Sequence, residues 1–276
     1  MAEIFDEHRC ALGEGPLWHP ERAELFWFDI IGKQLRSKSQ VWDFDTHVSA
    51  AGWVDRDTLL MASATALSRF DIATGWSQEL LPLEADNPVT RSNDGRADPW
   101  GGFWIGTMGL NAEDGAGTIY RYYRGEVTKL YGDITITNAI CFAPDRSAAY
   151  WCDTMKRQIM RQPLEADQGW PEGPAEVLID LTAEGLGADG AVVDAEGNIW
   201  NAQWGSSRVA VYASTGEFLR AVPVPGQQAS CPAFGGPDLT TLYVTTAADG
   251  LDGPDEGRTY AVPGAGKGLQ EYQVIL

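Results

Sequence analysis

A short sequence pattern typical of β-strands recurs six times along this chain of 276 residues, and the recurrence predicts an all-β fold, a six-bladed β-propeller. Helical periodicity is scarce, whereas short apolar and aromatic runs are flanked by Gly, Pro, Asn or Asp, as strands and turns are. A repeat of about 40–50 residues, with four short antiparallel strands per repeat, is typical of propeller blades. The central residues of the runs lie 33, 44, 47, 49 and 43 residues apart and are Trp27, Leu60, Trp104, Trp151, Trp200 and Tyr243.

Four of the six repeats show the same order of elements. An apolar strand leads through a Pro, Asp or Gly turn into the strand that holds the central aromatic residue. The segments with this order are residues 15–28, 93–106, 138–151 and 189–200. Further strands follow them, and the repeat around Leu60 is the shortest. A β-sandwich is the alternative fold, but it gives no reason for the phrase to repeat at near-constant spacing.

The chain is predicted to form one domain, residues 1–276, because no low-complexity linker or change in composition divides it. A ring of blades leaves an exposed sheet edge unless its two ends are joined. We therefore expect the segment Glu3–Arg9 to pair beside the C-terminal strands, around Tyr260 or Tyr272, and to close the ring.

Charge and composition narrow the classes of ligand. Twenty Lys and Arg against 39 Asp and Glu give a net charge of −19, which argues against nucleic acids and anionic membranes as partners. No uninterrupted apolar stretch approaches the roughly 18 residues of a membrane span. The acidic N-terminus does not resemble a secretory signal, so the four scattered cysteines should be reduced and buried. We expect a cytoplasmic protein, a monomer or weak homo-oligomer.

When the repeats are aligned on their turns, four oxygen-bearing side chains fall in register. Each lies six residues before the turn, at the start of the strand that should be innermost in its blade. Innermost strands line the central channel, so side chains at matching heights converge on its axis. The two remaining repeats would contribute a residue between His47 and Ser49, and Ser230. The four oxygen-bearing residues are Glu14, Asn93, Asn138 and Asp189.

Converging carboxylate and amide oxygens would repel one another or stay unpaired without a cation between them. Oxygen ligands suit a hard ion, so the channel is predicted to hold one divalent cation, with Ca²⁺ the first choice and Mg²⁺, Mn²⁺, Zn²⁺ or Fe²⁺ as alternatives. The competing interpretation is that these Asn and Asp residues only form turns at strand starts. A nucleophile elbow, a phosphate loop and a histidine-rich zinc site have no matching motif.

Several short motifs resemble the senescence-marker-protein/gluconolactonase/luciferin-regenerating-enzyme family. They occur in the family's order between about residues 10 and 250, and they are specific as a set although each alone is weak. The motifs are L-G-E-G-P-L-W at 12–18, R-S-N-D-G-R at 91–96, G-T-M at 106–108, I-T-N at 136–138, A-D-G-A at 188–191 and F-G-G-P-D at 234–238. The resemblance implies a six-bladed propeller with one divalent cation in its channel and, in many members, sugar-acid lactonase activity.

The resemblance also implies roles for individual residues. Arg91 and Asn93 match residues that hold the substrate, with Asn93 close to the cation. Glu113 falls where a substrate-contacting glutamate is expected, in a stretch that differs in length among family members. The residues that match the protein ligands of the cation are Glu14, Asn138 and Asp189.

On this resemblance we expect a carboxylic-ester hydrolase that opens aldonolactones, such as glucono-, galactono-, arabino- or xylonolactone, to the free acid. The cation would polarise the lactone carbonyl, and Asp189 would activate the attacking water. The main alternative is a calcium-binding regulatory protein whose channel ion is structural. An interaction scaffold and a hydrolase of another ester class are further alternatives, and fold alone does not choose among them.

Overall fold

The computed structural model describes all residues from Met1 to Leu276, and its 24 strands form six four-stranded antiparallel sheets. The strands of blades 1 to 3 are β2 (Gly13–His19), β3 (Glu24–Asp29), β4 (Gln34–Ser37), β5 (Val41–Asp43), β6 (Val48–Asp55), β7 (Thr58–Ser63), β8 (Ala66–Asp71), β9 (Ser77–Pro82), β10 (Thr90–Ala97), β11 (Phe103–Gly109), β12 (Gly117–Tyr123) and β13 (Glu126–Ile134).

The strands of blades 4 to 6 are β14 (Thr137–Phe142), β15 (Ala148–Asp153), β16 (Gln158–Pro163), β17 (Glu176–Asp180), β18 (Gly187–Val193), β19 (Ile199–Trp204), β20 (Arg208–Tyr212), β21 (Phe218–Pro223), β22 (Gln228–Gly235), β23 (Thr241–Ala247), β24 (Thr259–Val262) and β1 (Glu3–Asp6). One turn of 3-10 helix, Thr154–Lys156, follows β15. Nothing helical in the structure has the length and apolar character needed to span a membrane.

The predicted all-β, six-bladed propeller with four strands per blade is confirmed. Each predicted central residue lies on the second strand of its blade, from Trp27 on β3 to Tyr243 on β23. The four cysteines are free and buried, as expected from their scattered positions. The repeat around Leu60 forms a regular blade despite its short sequence phrase.

The hydrophobic core is divided into six clusters, one between each pair of neighbouring blades. The cluster between blades 4 and 5 contains 15 buried residues. The cluster between blades 6 and 1 contains only five, which include Trp18, Trp27 and Tyr243. Burial of apolar surface holds the blades together. The closing interface of the ring, which has the smallest apolar core, therefore gains the least stabilisation from it.

The N-terminal strand reinforces that closing interface. β1 pairs with β24 as the outermost strand of blade 6, with Ile4 opposite Tyr260 and Asp6 opposite Thr259. A register shift between Ile4 and Asp6 turns Phe5 toward the core. Its ring lies 4.8 Å from that of Tyr243 and 6.0 Å from that of Trp27, so Phe5 bridges blades 6 and 1.

We expect Phe5→Ala to lower the free energy of unfolding by about 1–3 kcal/mol, because it removes an aromatic side chain from the smallest interface of the ring. Ile4→Ala is the matched control, since Ile4 is 43% exposed and should change stability by less than about 0.5 kcal/mol. Chemical denaturation of both variants measures the difference. Equal stabilities would show that β1 does not seal the ring.

The C-terminal segment 263–276 crosses the face of the propeller where the first and second strands of the blades are joined. Along this path the N–H of Gly268 bonds to Leu239, that of Val274 to Trp53 and that of Ile275 to Gly101. Tyr272, one of the two residues at which pairing with the N-terminus was considered, therefore lies outside the closing sheet and packs between blades 2, 3 and 4. The segment ties together blades that are distant in sequence.

A buried ion pair anchors this segment beneath the channel. Arg96, near the end of β10, donates to the carbonyls of Ile140 and Ala191, on the innermost strands of blades 4 and 5, both at 3.2 Å. Its third partner is the carboxylate of Glu271, and the two side chains are only 10% and 8% exposed. Arg96 thus connects three blades and the C-terminal segment through one guanidinium group.

Candidate functional site

An irregularity in the innermost strand of every blade shapes the entrance of the channel. The pairing between the first and second strands shifts register in every one of the six sheets, once in five of them and twice in blade 2. Examples are the shifts between Glu14 and Leu17 and between Asn138 and Cys141. A bulge bends a strand and re-aims its side chains. In each blade one of these shifts lies at the level where the predicted oxygen-bearing side chains begin, which is why these side chains turn toward the channel.

The backbone after two of these residues has the left-handed conformation. Gly15, which follows Glu14, has φ +53°, and a β-carbon there would lie 2.3 Å from the carbonyl oxygen of Ser49. Only glycine allows blade 2 to approach this closely. Ala139, which follows Asn138, has φ 58°, a conformation that is uncommon for a residue with a side chain. Backbone strain of this kind is common at functional sites, and here it lies directly beside Asn138.

The oxygen-bearing side chains face a cavity of about 430 Å³ at the mouth of the channel. Its floor is polar and buried, whereas its walls carry apolar side chains. The lining residues are Leu12, Glu14, Ile31, His47, Arg91, Asn93, Met108, Leu110, Asn111, Ala112, Ile136, Asn138, Thr154, Met155, Asp189, Trp204 and Asp249. Five of the six predicted site residues are therefore brought together in one cavity.

A chain of hydrogen bonds fixes the amide side chains of the floor. Arg91 Nη1 donates to Asn93 Oδ1 at 2.8 Å, and Asn93 Nδ2 donates to Asn138 Oδ1 at 3.2 Å and to the carbonyl of Thr137 at 2.8 Å. Asn138 Nδ2 donates in turn to Thr154 Oγ1 at 2.9 Å. Because both amide nitrogens are held, the side-chain carbonyl oxygen of Asn138 is fixed in its orientation.

Thr154 was not anticipated from the sequence. Its hydroxyl donates to the carbonyl of Ala188 at 2.7 Å while accepting from Asn138, so it links blades 4 and 5 next to Asp189. The carboxylate of Asp153 holds this turn by accepting the N–H groups of Thr135, Ile136 and Met155. The D-T pair that spans the end of β15 was the available signal, because Asp and Thr favour such turns.

The floor concentrates negative charge that the protein itself balances only in part. Burial, and next the charge of Asp94, raise the pKa of Glu14 to about 8. Burial, Glu14 and Asp94 raise the pKa of Asp189 well above its ordinary range. Burial lowers the pKa of Arg91 to about 10. When ionised, the two floor carboxylates, Glu14 and Asp189, outnumber the single guanidinium of Arg91, so a cation between them would be stabilised.

The donor set fits such a cation. The Glu14 carboxylate accepts the N–H of Gly15 at 3.2 Å, and the N–H of Gly190 acts on the carboxylate of Asp189, so both carboxylates have further oxygen lone pairs to share. Two carboxylates and the fixed amide oxygen of Asn138 supply oxygen ligands only, the preference of Ca²⁺ and Mg²⁺. The hydrogen bonds of Arg91 run to Ser92 and Asn93, while Glu14 and Asp189 act on it as nearby charges.

The four other residues that the sequence singled out lie outside the oxygen set of the floor. Ser49 donates to Ser92 and Ser230 to the carbonyl of Gly13, so the two remaining members of the oxygen set are occupied by bonds between blades. His47 lines the cavity, and burial together with Arg91 lowers its pKa. Glu113 is exposed and does not line the cavity.

The loop after β11 turns Glu113 away from the channel. Its carboxylate accepts the backbone N–H of Asn111 at 3.0 Å and the side-chain amide of Asn111 at 2.9 Å. Asn111, not Glu113, reaches the cavity wall. A direct contact between Glu113 and a substrate stays a prediction, and the structure gives Glu113 the role of orienting Asn111.

Comparisons with known proteins identify the family and support the fold. Residues 12–248 match the model of the SMP-30/gluconolactonase/LRE-like region. The crystal structure of a calcium-binding protein, regucalcin, from Agrobacterium tumefaciens strain C58 superposes with a TM-score of 0.97 at 42% identity, covering 100% of this chain and 98% of that one.

Two relatives are named for the lactones they hydrolyse. The L-arabinolactonase of Azospirillum brasilense is 34% identical, over 91% of this chain and 86% of its own length. The 6-deoxy-6-sulfogluconolactonase of Pseudomonas putida is 32% identical, over 94% of both chains. The chain belongs to the SMP-30/gluconolactonase/LRE-like family.

Proposed function

We propose that the chain is a metal-dependent hydrolase that opens sugar-acid lactones to the free acids. The observation that carries the proposal is the cavity floor, where Glu14, Asn138 and Asp189 offer oxygen ligands beside the unused donors of Arg91. The lactonase names of the relatives support the reaction class. The regucalcin-type neighbour, named as calcium-binding, supports Ca²⁺ as the first choice of ion.

Glu14, Asn138 and Asp189 would hold the cation, which supplies Lewis-acid polarisation of the lactone carbonyl when bound. Asp189 is the candidate general base, because it is a buried carboxylate that lines the floor of the cavity. It would remove a proton from the water that attacks the carbonyl carbon. The ring C–O bond would then break, and the protonated Asp189 would return its proton to the ring oxygen, which leaves as the hydroxyl of the aldonic acid.

Arg91 and Asn93 would orient the lactone ring. Nη1 of Arg91 makes both of its hydrogen bonds, to Ser92 and Asn93, so Nε and Nη2 stay available, and a guanidinium presents its donors in a fixed fork. Sugar hydroxyls and the ring oxygen can accept from this fork. Asn93 holds Arg91 by accepting its hydrogen bond, and it also orients Asn138 by donating a hydrogen bond to it.

A calcium-binding regulatory protein with a structural ion is the second candidate, and the name of the closely superposed neighbour favours it. A structural ion requires the three ligands alone. It gives no reason for a charged guanidinium, only 7% exposed, to line the same 430 Å³ cavity.

Arg91→Ala should reduce kcat/KM for a sugar lactone, because charged hydrogen bonds to the substrate are lost. The reduction should correspond to a loss of about 1–3 kcal/mol of transition-state stabilisation. The affinity for the cation should not weaken, since the substitution removes a positive charge beside it. Arg91→Lys, which keeps the charge but not the fork, should recover part of the loss. Initial rates and calorimetric metal titration separate the two effects, and loss of metal binding in Arg91→Ala would reverse the assigned roles.

A panel of five-carbon and six-carbon aldonolactones, assayed on the purified protein with Ca²⁺, Mg²⁺, Mn²⁺ and Zn²⁺ in turn, tests the proposed activity. We expect enzyme-dependent acid release from at least one sugar lactone. Simple aryl esters and phosphotriesters serve as controls for other ester classes. Hydrolysis of these controls without any sugar lactone turnover would assign the site to another reaction.

A further inference from the structure

A second set of side chains lies in register around the mouth of the channel, and all its members are apolar. Each lies four positions after the central residue of its blade. It is either one of the last two residues of the second strand or one of the first two residues after it. Their places in blades 1, 3, 4 and 5 are Ile31, Met108, Met155 and Trp204, which we call the apolar collar. The equivalent positions of blades 2 and 6 are Ala64 and Ala247.

The collar lies nearer to solvent than the oxygen set. Glu14 is paired with Phe28, and Ile31 follows three residues later along the strand direction that leads out of the channel. Asn138 is paired with Cys152, and Met155 likewise follows three residues later. All four collar residues line the same cavity as the floor. A ligand that reaches the floor must therefore pass the collar.

Two of the four collar side chains, and one apolar neighbour on the same wall, are open to water, whereas Met108 is buried. Met155 is 62% exposed and Ile31 is 47% exposed, and Leu110, which lines the same wall, is 42% exposed. Single exposed apolar residues are common, but several that share one concave site mark a surface to be covered by a ligand. Three blades contribute these exposed side chains, so local sequence composition does not explain them.

A sugar lactone alone would not use this wall. Its ring is covered with hydroxyl groups, which the polar floor can satisfy, and the cavity of about 430 Å³ lies in the range of roughly 300–1,000 Å³ found for drug-sized ligands. We propose that the collar binds an apolar substituent, so that the preferred substrates are lactones whose polar ring carries an aliphatic or aromatic group. This inference rests on the proposed lactonase function for its reaction and on the collar for its specificity.

The test compares two ethers of glucono-1,5-lactone that differ only in the polarity of the substituent. One carries a hexyl group on the 6-oxygen, and the other carries a 2-(2-hydroxyethoxy)ethyl group with the same number of non-hydrogen atoms. We expect kcat/KM for the hexyl ether to exceed that for the glycol ether at least tenfold. Equal values for the two ethers would overturn the proposal.

Two variants locate the preference. In the double variant Ile31→Ser/Met155→Ser, the ratio of the two kcat/KM values should fall at least fivefold, toward one. Val177→Ser is the matched control, because Val177 lies on β17, the outermost strand of blade 4, and is 48% exposed far from the cavity. It should keep the ratio of the unmodified protein. A ratio that survives in the double variant would also overturn the proposal.

A binding measurement keeps the test independent of hydrolysis. The corresponding hexyl and glycol ethers of 1,5-anhydroglucitol lack the carbonyl and cannot be hydrolysed, so calorimetry gives their dissociation constants directly. Tighter binding of the hexyl ether, lost in Ile31→Ser/Met155→Ser, would support the collar even if no lactone were turned over, in which case only the lactonase proposal fails. Equal dissociation constants together with normal hydrolysis of gluconolactone would leave the lactonase and remove the collar.

Discussion

Asp189→Asn is expected to lower kcat/KM for sugar lactones by about 10²–10⁴-fold, the range that a general base supplies. The substitution keeps the shape of the side chain but removes its proton-accepting charge. It also removes one of the two carboxylates that face the cation, so metal affinity should fall as well. Initial rates at saturating cation isolate the first effect, because the weaker metal binding is then compensated.

Glu14→Gln separates the two roles. Glu14 is proposed as a ligand only, so its variant should bind the cation more weakly and recover much of its rate when the cation is saturating. Asp189→Asn should stay slow under the same condition. Asp249→Asn is the control, because its carboxylate lines the same mouth but lies outside the oxygen set. Full recovery of Asp189→Asn at high cation concentration would show that another group is the base.

Glu271→Ala should lower the free energy of unfolding by about 3–5 kcal/mol, the cost of leaving one partner of a buried ion pair uncompensated. Arg96 is held by two backbone carbonyls of blades 4 and 5 and cannot move to solvent without breaking them. Asp57→Ala is the control for an exposed pair, since Asp57 contacts Arg22 at 2.8 Å but is 55% exposed, and it should cost at most about 1 kcal/mol.

A double variant decides whether the charge is responsible. Arg96→Leu/Glu271→Leu removes both charges, so it should be less destabilising than the sum of its single variants. Denaturant unfolding of the unmodified protein, Arg96→Leu, Glu271→Leu and the double variant gives this comparison. If Glu271→Ala unfolds as easily as Asp57→Ala, the C-terminal segment does not anchor the blades through Arg96.

The architecture could be predicted because each blade repeats the same physical problem. A propeller blade needs an apolar second strand to pack on its neighbours, and residues such as Trp27 and Trp104 mark that strand in the sequence. The repeat also predicted that Glu14, Asn138 and Asp189 occupy equivalent positions on their strands. Equivalent strand positions lie at equivalent heights in the channel, so these side chains were expected to converge. The path of residues 263–276 could not be predicted, because that segment bonds through its backbone to turns of distant blades.

The finer parts of the site depend on local geometry that spacing does not encode. Thr154 acts through a 3-10 turn that places its hydroxyl between Asn138 and Ala188, and a threonine after a strand carries no such message by itself. The loop that contains Glu113 folds back on Asn111, so position relative to the next strand did not indicate which side chain reaches the cavity. Both features follow from hydrogen bonds that only the folded loops create.

The central claim is that one divalent cation at the oxygen set is required for lactone hydrolysis. The most direct measurement is the rate of glucono-1,5-lactone hydrolysis by the purified protein after chelation and dialysis, followed by titration with Ca²⁺ and calorimetry on the same sample. We predict that the stripped protein is inactive above the spontaneous rate, and that activity returns in proportion to the binding of one cation per chain. Full activity in the stripped protein, or a bound cation that leaves the rate unchanged, would contradict the proposal.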